Sequence, residues 1–221
     1  ILEGKTDNLI KELSGRMQLL ARGQDFEGAA KARDQIAALV ALSAAGAGSY
    51  QHELEGLRQI LKLKRYPMRI EAFDISNMSG KEAAGSMVSF YQGQPDKNNY
   101  RRFRIKTVYA IDDYDMLREV VRRRYARLMR EKLPLPDLVL IDGGKGHLEA
   151  ASGELEKLGL RFPLMSLAKE EENIYSKGEA LPLHLKEGSP ALNLIRRIRD
   201  EAHRFALAYH HVLHRKKIIG K

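Results

Sequence analysis

Two apolar runs, each delivering a single aspartate, constrain this chain more than anything else in it. The first is Arg69–Ser76, RIEAFDIS, in which Asp74 stands among Ile70, Phe73 and Ile75. The second comes about seventy residues later: Asp137–Gly146, DLVLIDGGKG, where the consecutive apolar residues Leu138–Ile141 end on Asp142 and then glycines. An uninterrupted apolar run bounded by turn signals reads as a strand buried on both faces. A carboxylate carried into such a setting is costly unless it is paired or coordinates a cation. The fold must therefore bring two charged strands into one sheet and neutralise what they carry.

Composition narrows the possibilities. At 221 residues the chain can hold one hydrophobic core with something smaller beside it. Lys and Arg total 38 against 29 acidic residues, a formal charge of +9. A balance of that size favours a polyanionic partner, nucleic acid being the commonest. Cysteine is absent, which excludes disulfides and thiolate metal sites. There is no signal peptide and no run of about 18 apolar residues, so neither secretion nor membrane spanning is indicated, and a cytoplasmic location is expected. The chain opens Ile-Leu-Glu without a methionine, which suggests a fragment of something longer.

Residues 2–42 read as two helices. Ile10, Leu13, Met17 and Leu20 recur at helical spacing, Arg22-Gly23-Gln24 interrupts them, and Asp25 is placed to cap the second helix. That helix carries Phe26, Ala29, Ala30, Arg33, Ile36, Ala37 and Val40 on or near one face. Two helices of this size bury too little to be stable alone, so they either pack on a larger domain or complete their core with another protein. The spacing of Leu13, Met17, Phe26, Glu27, Ala29, Ala30, Arg33 and Asp34 resembles the UVR motif, which favours docking to a partner. Ser43–Ser49, SAAGAGS, reads as a flexible linker, followed by a short helix through Leu54, Leu57 and Leu61. The expected organisation is a hairpin over 1–43, linker and short helix over 44–66, and a main domain over 67–221.

Within the main domain, two alternating strands follow the first: Ala84–Phe90 and Asn99–Lys106. In the latter, Phe103 and Ile105 face one way while Arg102, Arg104 and Lys106 face the other, a surface suited to phosphates and equally to water. Asp113–Lys132 is a helix with Leu117, Val120, Val121 and Leu128 on its core side and a dense basic stretch from Arg122. The Asp142 strand, a helix over Leu148–Leu158, a strand over Leu164–Ala168, an irregular stretch Ile174–Leu185 that admits a hairpin around Lys177-Gly178, and a long helix from Pro190 complete the order. That order, β-β-β-α-β-α-β-α, is ribonuclease H-like: a mixed five-stranded sheet with helices on both faces. In such a sheet the first and fourth strands are parallel neighbours, which puts Asp74 beside Asp142 at a topological switch point.

Two carboxylates so placed repel unless a cation lies between them, and Mg²⁺ or Mn²⁺ suits oxygen ligands. The final helix carries an apolar stripe of Ile195, Ile198, Ala202, Phe205, Tyr209 and Val212, with Arg196, Arg199, His203 and His210 along one edge. An edge position looks toward the rim of the sheet, so His203 is the expected third member of the site. Further candidate contacts to nucleic acid are Arg123, Lys145, Lys169, Arg196 and Arg199, beside Arg102 and Arg104. Gly143-Gly144-Lys145-Gly146 lacks phosphate-loop spacing, because Gly144-Lys145 is not followed by the Ser or Thr that would be needed. A non-catalytic nucleic-acid-binding module is the alternative, although carboxylates beside a phosphate bring such a module nothing.

FDIS (Phe73–Ser76), YRRFRIK (Tyr100–Lys106), IDGGKG (Ile141–Gly146), LAKEEE (Leu167–Glu172) and RIRDEAHRFA (Arg197–Ala206) together resemble the C-terminal endonuclease domain of the UvrC family. The resemblance spans about residues 40–215, and the UVR-like hairpin precedes it in that family's order. It implies a metal-dependent DNA endonuclease of nucleotide excision repair, part of the UvrABC system, cutting 5′ to a lesion in double-stranded DNA. It also implies UvrB as the partner of the hairpin, and it lays the family's Asp, Asp and His on Asp74, Asp142 and His203. His147 departs from the Gln usual after IDGGKG. The family's GIY-YIG nuclease and helix-hairpin-helix pair are not found in this sequence, which fits the reading as a fragment.

Overall fold

The computed structural model describes the backbone of residues 2–78, 82–108, 112–168, 173–179 and 181–219, and the side chains among them except those of 2–7, 40–47, 76–78, 82–83 and 210–219. The chain divides into two compact units, Ile1–Gln51 and His52–Lys221.

The first unit is a pair of helices, α1 (Leu2–Arg22) and the greater part of α2 (Phe26–Ile60). The turn between them places Gln24 in the left-handed region at φ 64° after Gly23. Asp25 caps α2 as its spacing predicts, its Oδ1 accepting from the Gly28 amide at 2.9 Å. Leu13, Met17 and Ile36 are half-buried, whereas Phe26 is 71 % exposed.

The expected linker is corrected by the structure: α2 continues through Ser43–Ser49, and the boundary between units falls at Gln51–His52. Alanine is the best helix former, and the helix-weakening effect of Gly46 and Gly48, about 1 kcal/mol each relative to Ala, is set against an alanine-rich surround. Small residues that look like a linker by composition are here good helix propagators. Leu54 and Leu57, expected in a separate short helix, are core residues of the second unit on the last turns of α2.

The second unit is built on one mixed sheet. Its strands are β1 (Arg69–Met78), β2 (Glu82–Tyr91), β3 (Gln94–Pro95), β4 (Arg101–Arg104), β5 (Leu138–Asp142), β6 (Leu164–Leu167) and β7 (Ile174–Ser176). The order is β3-β2-β1-β5-β6-β7, with β4 also pairing β2, so β3 and β4 follow one another along the same edge. β1 runs antiparallel to β2 and parallel to β5, as expected for the first and fourth principal strands. The five anticipated strands are present, and β3 and β7 extend the sheet to seven. Both additions are short, and such segments are too brief to show a period in sequence. β7 lies inside the stretch read as irregular or as a hairpin around Lys177-Gly178; it pairs with β6, and its Ile174 bridges Leu183 antiparallel, as a hairpin there requires.

Strand alternation sends successive side chains to opposite faces. Ile70, Ala72, Val88, Phe90, Leu138, Leu140, Met165 and Leu167 meet the last turns of α2 and the helix α5 (Pro190–Ile219). Phe73, Met87, Phe103, Val139, Ile141 and Leu164 meet α3 (Asp113–Arg130) and α4 (Lys145–Lys157). Helices thus cover both faces. Asp112 caps α3 by accepting from the amides of Tyr114 and Asp115. Gly85 permits α3 to press on β2, since a Cβ there would stand 2.6 Å from Val120 Cγ2.

A charged cluster is buried on the α3 face. Glu71 accepts from both the Arg124 guanidinium and, at 3.0 Å, the Tyr125 hydroxyl. Burial, and then the negative charge of Glu71, push the Tyr125 hydroxyl far above its ordinary pKa, so it stays a donor. Removing one partner would leave an uncompensated buried charge, and this cluster therefore specifies how α3 sits on β1.

Candidate active site

The β1–β5 pairing aligns Phe73 with Ile141, and both of these side chains enter the α3 face. One step further along each strand the side chains reverse, so Asp74 and Asp142 stand together on the face covered by α5. Asp74 is buried and Asp142 half-buried. The end of β5 is followed by Gly143 at φ +153°, where a Cβ would stand 2.6 Å from the His147 ring. Glycine at that position lets the chain turn closely from β5 into α4 behind Asp142.

α5 supplies the third side chain. Ile195, Ile198, Ala202 and Ala206 are buried against the sheet. His203, at the edge of that stripe, has its side chain 49 % exposed and its Nδ1 3.3 Å from Asp74 Oδ2. Asp74, Asp142 and His203 each offer one ligand atom, all lying within 4.8 Å of one another. The helix is held at this rotation by two polar anchors. Arg197 donates to both oxygens of Glu53 and to the Gly93 carbonyl. Tyr100 donates to Glu201 at 3.0 Å while its ring meets Phe205 edge-on at 5.0 Å. Burial opposes the charge on Glu201, yet hydrogen bonds from Arg204 and Tyr100 outweigh it and hold the carboxyl below its ordinary pKa.

Two carboxylates and an imidazole so close together form a donor set that fits a hard divalent cation. The oxygens would carry most of the charge compensation, and the nearly half-exposed imidazole leaves the site open to solvent on the α5 side.

The candidate cations fall into several environments. Arg102 lies on the same sheet face, its guanidinium 4.6 Å from the Phe205 ring centroid and 5.0 Å from that of Tyr209. Arg104 is exposed beside it. Arg123, by contrast, belongs to the opposite layer and is committed there, donating to Glu119 and to the Arg104 carbonyl at 2.7 Å each. Lys145 is exposed at the start of α4. Arg196 is bound to both oxygens of Glu187, and Arg199 contacts Asp200. Lys169 and the acidic residues after it lie outside the described residues, as do the side chains of His210 and Val212. His147 packs its ring 4.7 Å from that of Tyr114.

Sequence reasoning missed Ser86, which stands directly opposite Asp74 in the β1–β2 ladder. Its signal was faint: one of two serines, Ser86 and Ser89, inside the otherwise apolar run Ala83–Phe90.

A family model described as the UvrC RNAse H endonuclease domain matches residues 58–207. The chain belongs to this family. A second model, the UvrB/uvrC motif, matches residues 7–42. UvrABC system protein C of Methanosarcina barkeri (strain Fusaro / DSM 804) is 52 % identical over 169 residues, covering 76 % of this chain and 33 % of that protein. The protein of the same name from Chlorobaculum tepidum is 49 % identical over 166 residues, 75 % of this chain and 26 % of its own length. The chain thus spans about a third or less of these UvrC relatives. Among solved structures, Ciona intestinalis endonuclease V bound to an inosine-containing 24mer DNA has a TM-score of 0.36 at 14 % identity, over 61 % of this chain and 56 % of that one, too slight a likeness to bear on function. Among the described residues, no helix is long and apolar enough to cross a membrane.

Proposed function

We propose that this chain carries the nuclease site that makes the incision 5′ to a lesion in bacterial-type nucleotide excision repair, with Mg²⁺ or Mn²⁺ held by Asp74 and Asp142 and with His203 beside the ion as proton carrier. The observation that supports this most directly is the convergence of those side chains, one ligand atom from each within 4.8 Å, on a sheet face bordered by Arg102 and Arg104. A divalent ion there would polarise the phosphodiester and offset the charge that develops on it. The net reaction is hydrolysis: water adds to phosphorus, one P–O bond breaks, and the leaving oxygen takes up a proton.

The protein side chains have separate tasks. Asp74 and Asp142 supply negative charge on rigid strands, so their spacing does not depend on loop motion. His203, exposed on one side and bonded to Asp74 on the other, can carry a proton between the site and solvent. Arg102 is stiffened by its two aromatic neighbours and presents a cation to the DNA backbone, a contact that positions without reading sequence. The helical hairpin serves as the docking element, its partner being the similar hairpin of UvrB. Action on damaged double-stranded DNA would place the protein in the cytoplasm.

Nicking of a lesion-bearing duplex, with the partner and either ion supplied, tests this reading. Asp142→Asn keeps the side chain's size but removes its charge, and it is expected to abolish the 5′ nick. Full incision by that variant would put the chemistry elsewhere.

A further inference from the structure

The face that carries the two aspartates also carries a buried hydroxyl. Asp74 is paired directly with Ser86 in the β1–β2 ladder, and Ser86 is paired in turn with Arg102 in the β2–β4 ladder. Directly opposed residues in an antiparallel pair place their Cβ atoms about 4.5–5.5 Å apart on the same face. β1 has β5 on one side and β2 on the other. Asp74 is therefore flanked by Asp142 on the β5 side and by Ser86 on the β2 side.

Ser86 sits in a tightly packed stretch of its strand. Its neighbours Met87 and Val88 are fully buried in the opposite and the same core layer respectively. Gly85 is pressed against Val120 from the far face, which fixes the height of the strand. Ser86 is 2 % exposed, and its Oγ has no hydrogen-bond partner among the described residues. A buried hydroxyl in that state is unfavourable, and such groups are uncommon in folded proteins. A carboxylate has two oxygens and about four lone-pair sites. His203 reaches Asp74 at Oδ2. Ser86 approaches the same group from the side away from Asp142.

We propose that Ser86 is a positioning residue of the metal site: in the metal-loaded protein its hydroxyl donates to the Asp74 carboxylate and fixes the orientation in which Asp74 ligates the ion. The inference rests on the metal reading above. It explains why Ser86 is buried without a partner among the described residues, whereas Ser89, on the other face of the same strand, accepts from Arg69. Outer hydrogen bonds of this kind orient a ligand, and their loss weakens metal binding about 10- to 100-fold.

The test titrates Mn²⁺ into the full chain by calorimetry and melts the same samples with and without the ion, for the native sequence, Ser86→Ala, Ser86→Thr and Asp74→Asn. Ser86→Ala is expected to melt at the same or a higher temperature without Mn²⁺, because the hydroxyl it removes is unpaired. Its Mn²⁺ affinity is expected to fall about 10-fold or more, with a smaller Mn²⁺-induced rise in melting temperature. Ser86→Thr, which keeps the hydroxyl, is expected to recover most of that affinity. Unchanged affinity in Ser86→Ala, with native protein that binds Mn²⁺ and Asp74→Asn that does not, overturns the role of Ser86 and leaves the metal reading standing. Loss of duplex affinity without loss of Mn²⁺ affinity also overturns it, by placing the hydroxyl on the DNA. Native protein that fails to bind Mn²⁺ removes both.

Discussion

His203 Nδ1 lies 3.3 Å from Asp74 Oδ2, joining the edge of α5 to a strand 129 positions earlier. The contact makes the imidazole a natural proton carrier, since its other face is open to water. His203→Ala is expected to lower incision by about 10²–10⁴ while Mn²⁺ still binds through the two aspartates. Single-turnover nicking beside Mn²⁺ calorimetry checks this. A parallel loss of Mn²⁺ affinity would show instead that the imidazole is a ligand.

Arg102 and Arg123 should part company in DNA binding. Arg102 has no carboxylate partner among the described residues and stacks on Phe205 and Tyr209 beside the site. Arg102→Ala should reduce the slope of log affinity against log salt by about one unit. Arg123→Ala should leave that slope alone and lower stability, because its guanidinium bridges Glu119 and the Arg104 carbonyl. Anisotropy titrations on duplex DNA across a salt series read the slope, and equal effects of the two substitutions would refute the distinction.

Glu119 gives the fold an acid-sensitive joint. It is 2 % exposed and accepts from the amides of Lys106 and Thr107, the Thr107 hydroxyl and Arg123. Burial raises its pKa, but these hydrogen bonds outweigh burial and bring it below the ordinary 4.5. A depressed value means its contribution to stability is fully present above 4.5 and is lost as pH falls through the folded value. Glu119→Gln should therefore cost about 1.5–3 kcal/mol near neutral pH and flatten the acid limb of the stability profile. Denaturant unfolding at neutral pH and at about pH 3 measures both effects.

Phe26 is a large apolar side chain left 71 % exposed on the hairpin. If it anchors the UvrB hairpin, Phe26→Ala should weaken association by about 2–4 kcal/mol without changing Mn²⁺ binding. Pull-down or calorimetry with the partner decides, and native-like binding by the variant would remove Phe26 from the interface.

Much of the main domain was legible in sequence because strand and helix periods are local. Apolar alternation located β2 and β4; apolar runs ending on aspartates located β1 and β5; and helix phase placed His203 on the edge of the stripe that faces the sheet. The adjacency of Asp74 and Asp142 followed from strand order, since parallel neighbours joined by a crossover have few permitted arrangements. The Ser43–Ser49 segment misled because its composition fits both a linker and an alanine-rich helix, and continuation of α2 through it is a matter of cooperative propagation.

Only the tertiary structure decided where the charges are spent. Arg102 and Arg123 look alike in sequence, yet one stacks over Phe205 and the other is tied to Glu119. Glu71 reads as one more polar strand residue until Arg124 and Tyr125 close around it. Ser86 acquires a role only once β2 pairs with β1 in the register that sets it opposite Asp74. The reason is physical: the conformation of a segment is governed mostly by its near neighbours in the chain. The partner of a charged or hydroxyl side chain is set by which faces meet, often across fifty residues or more.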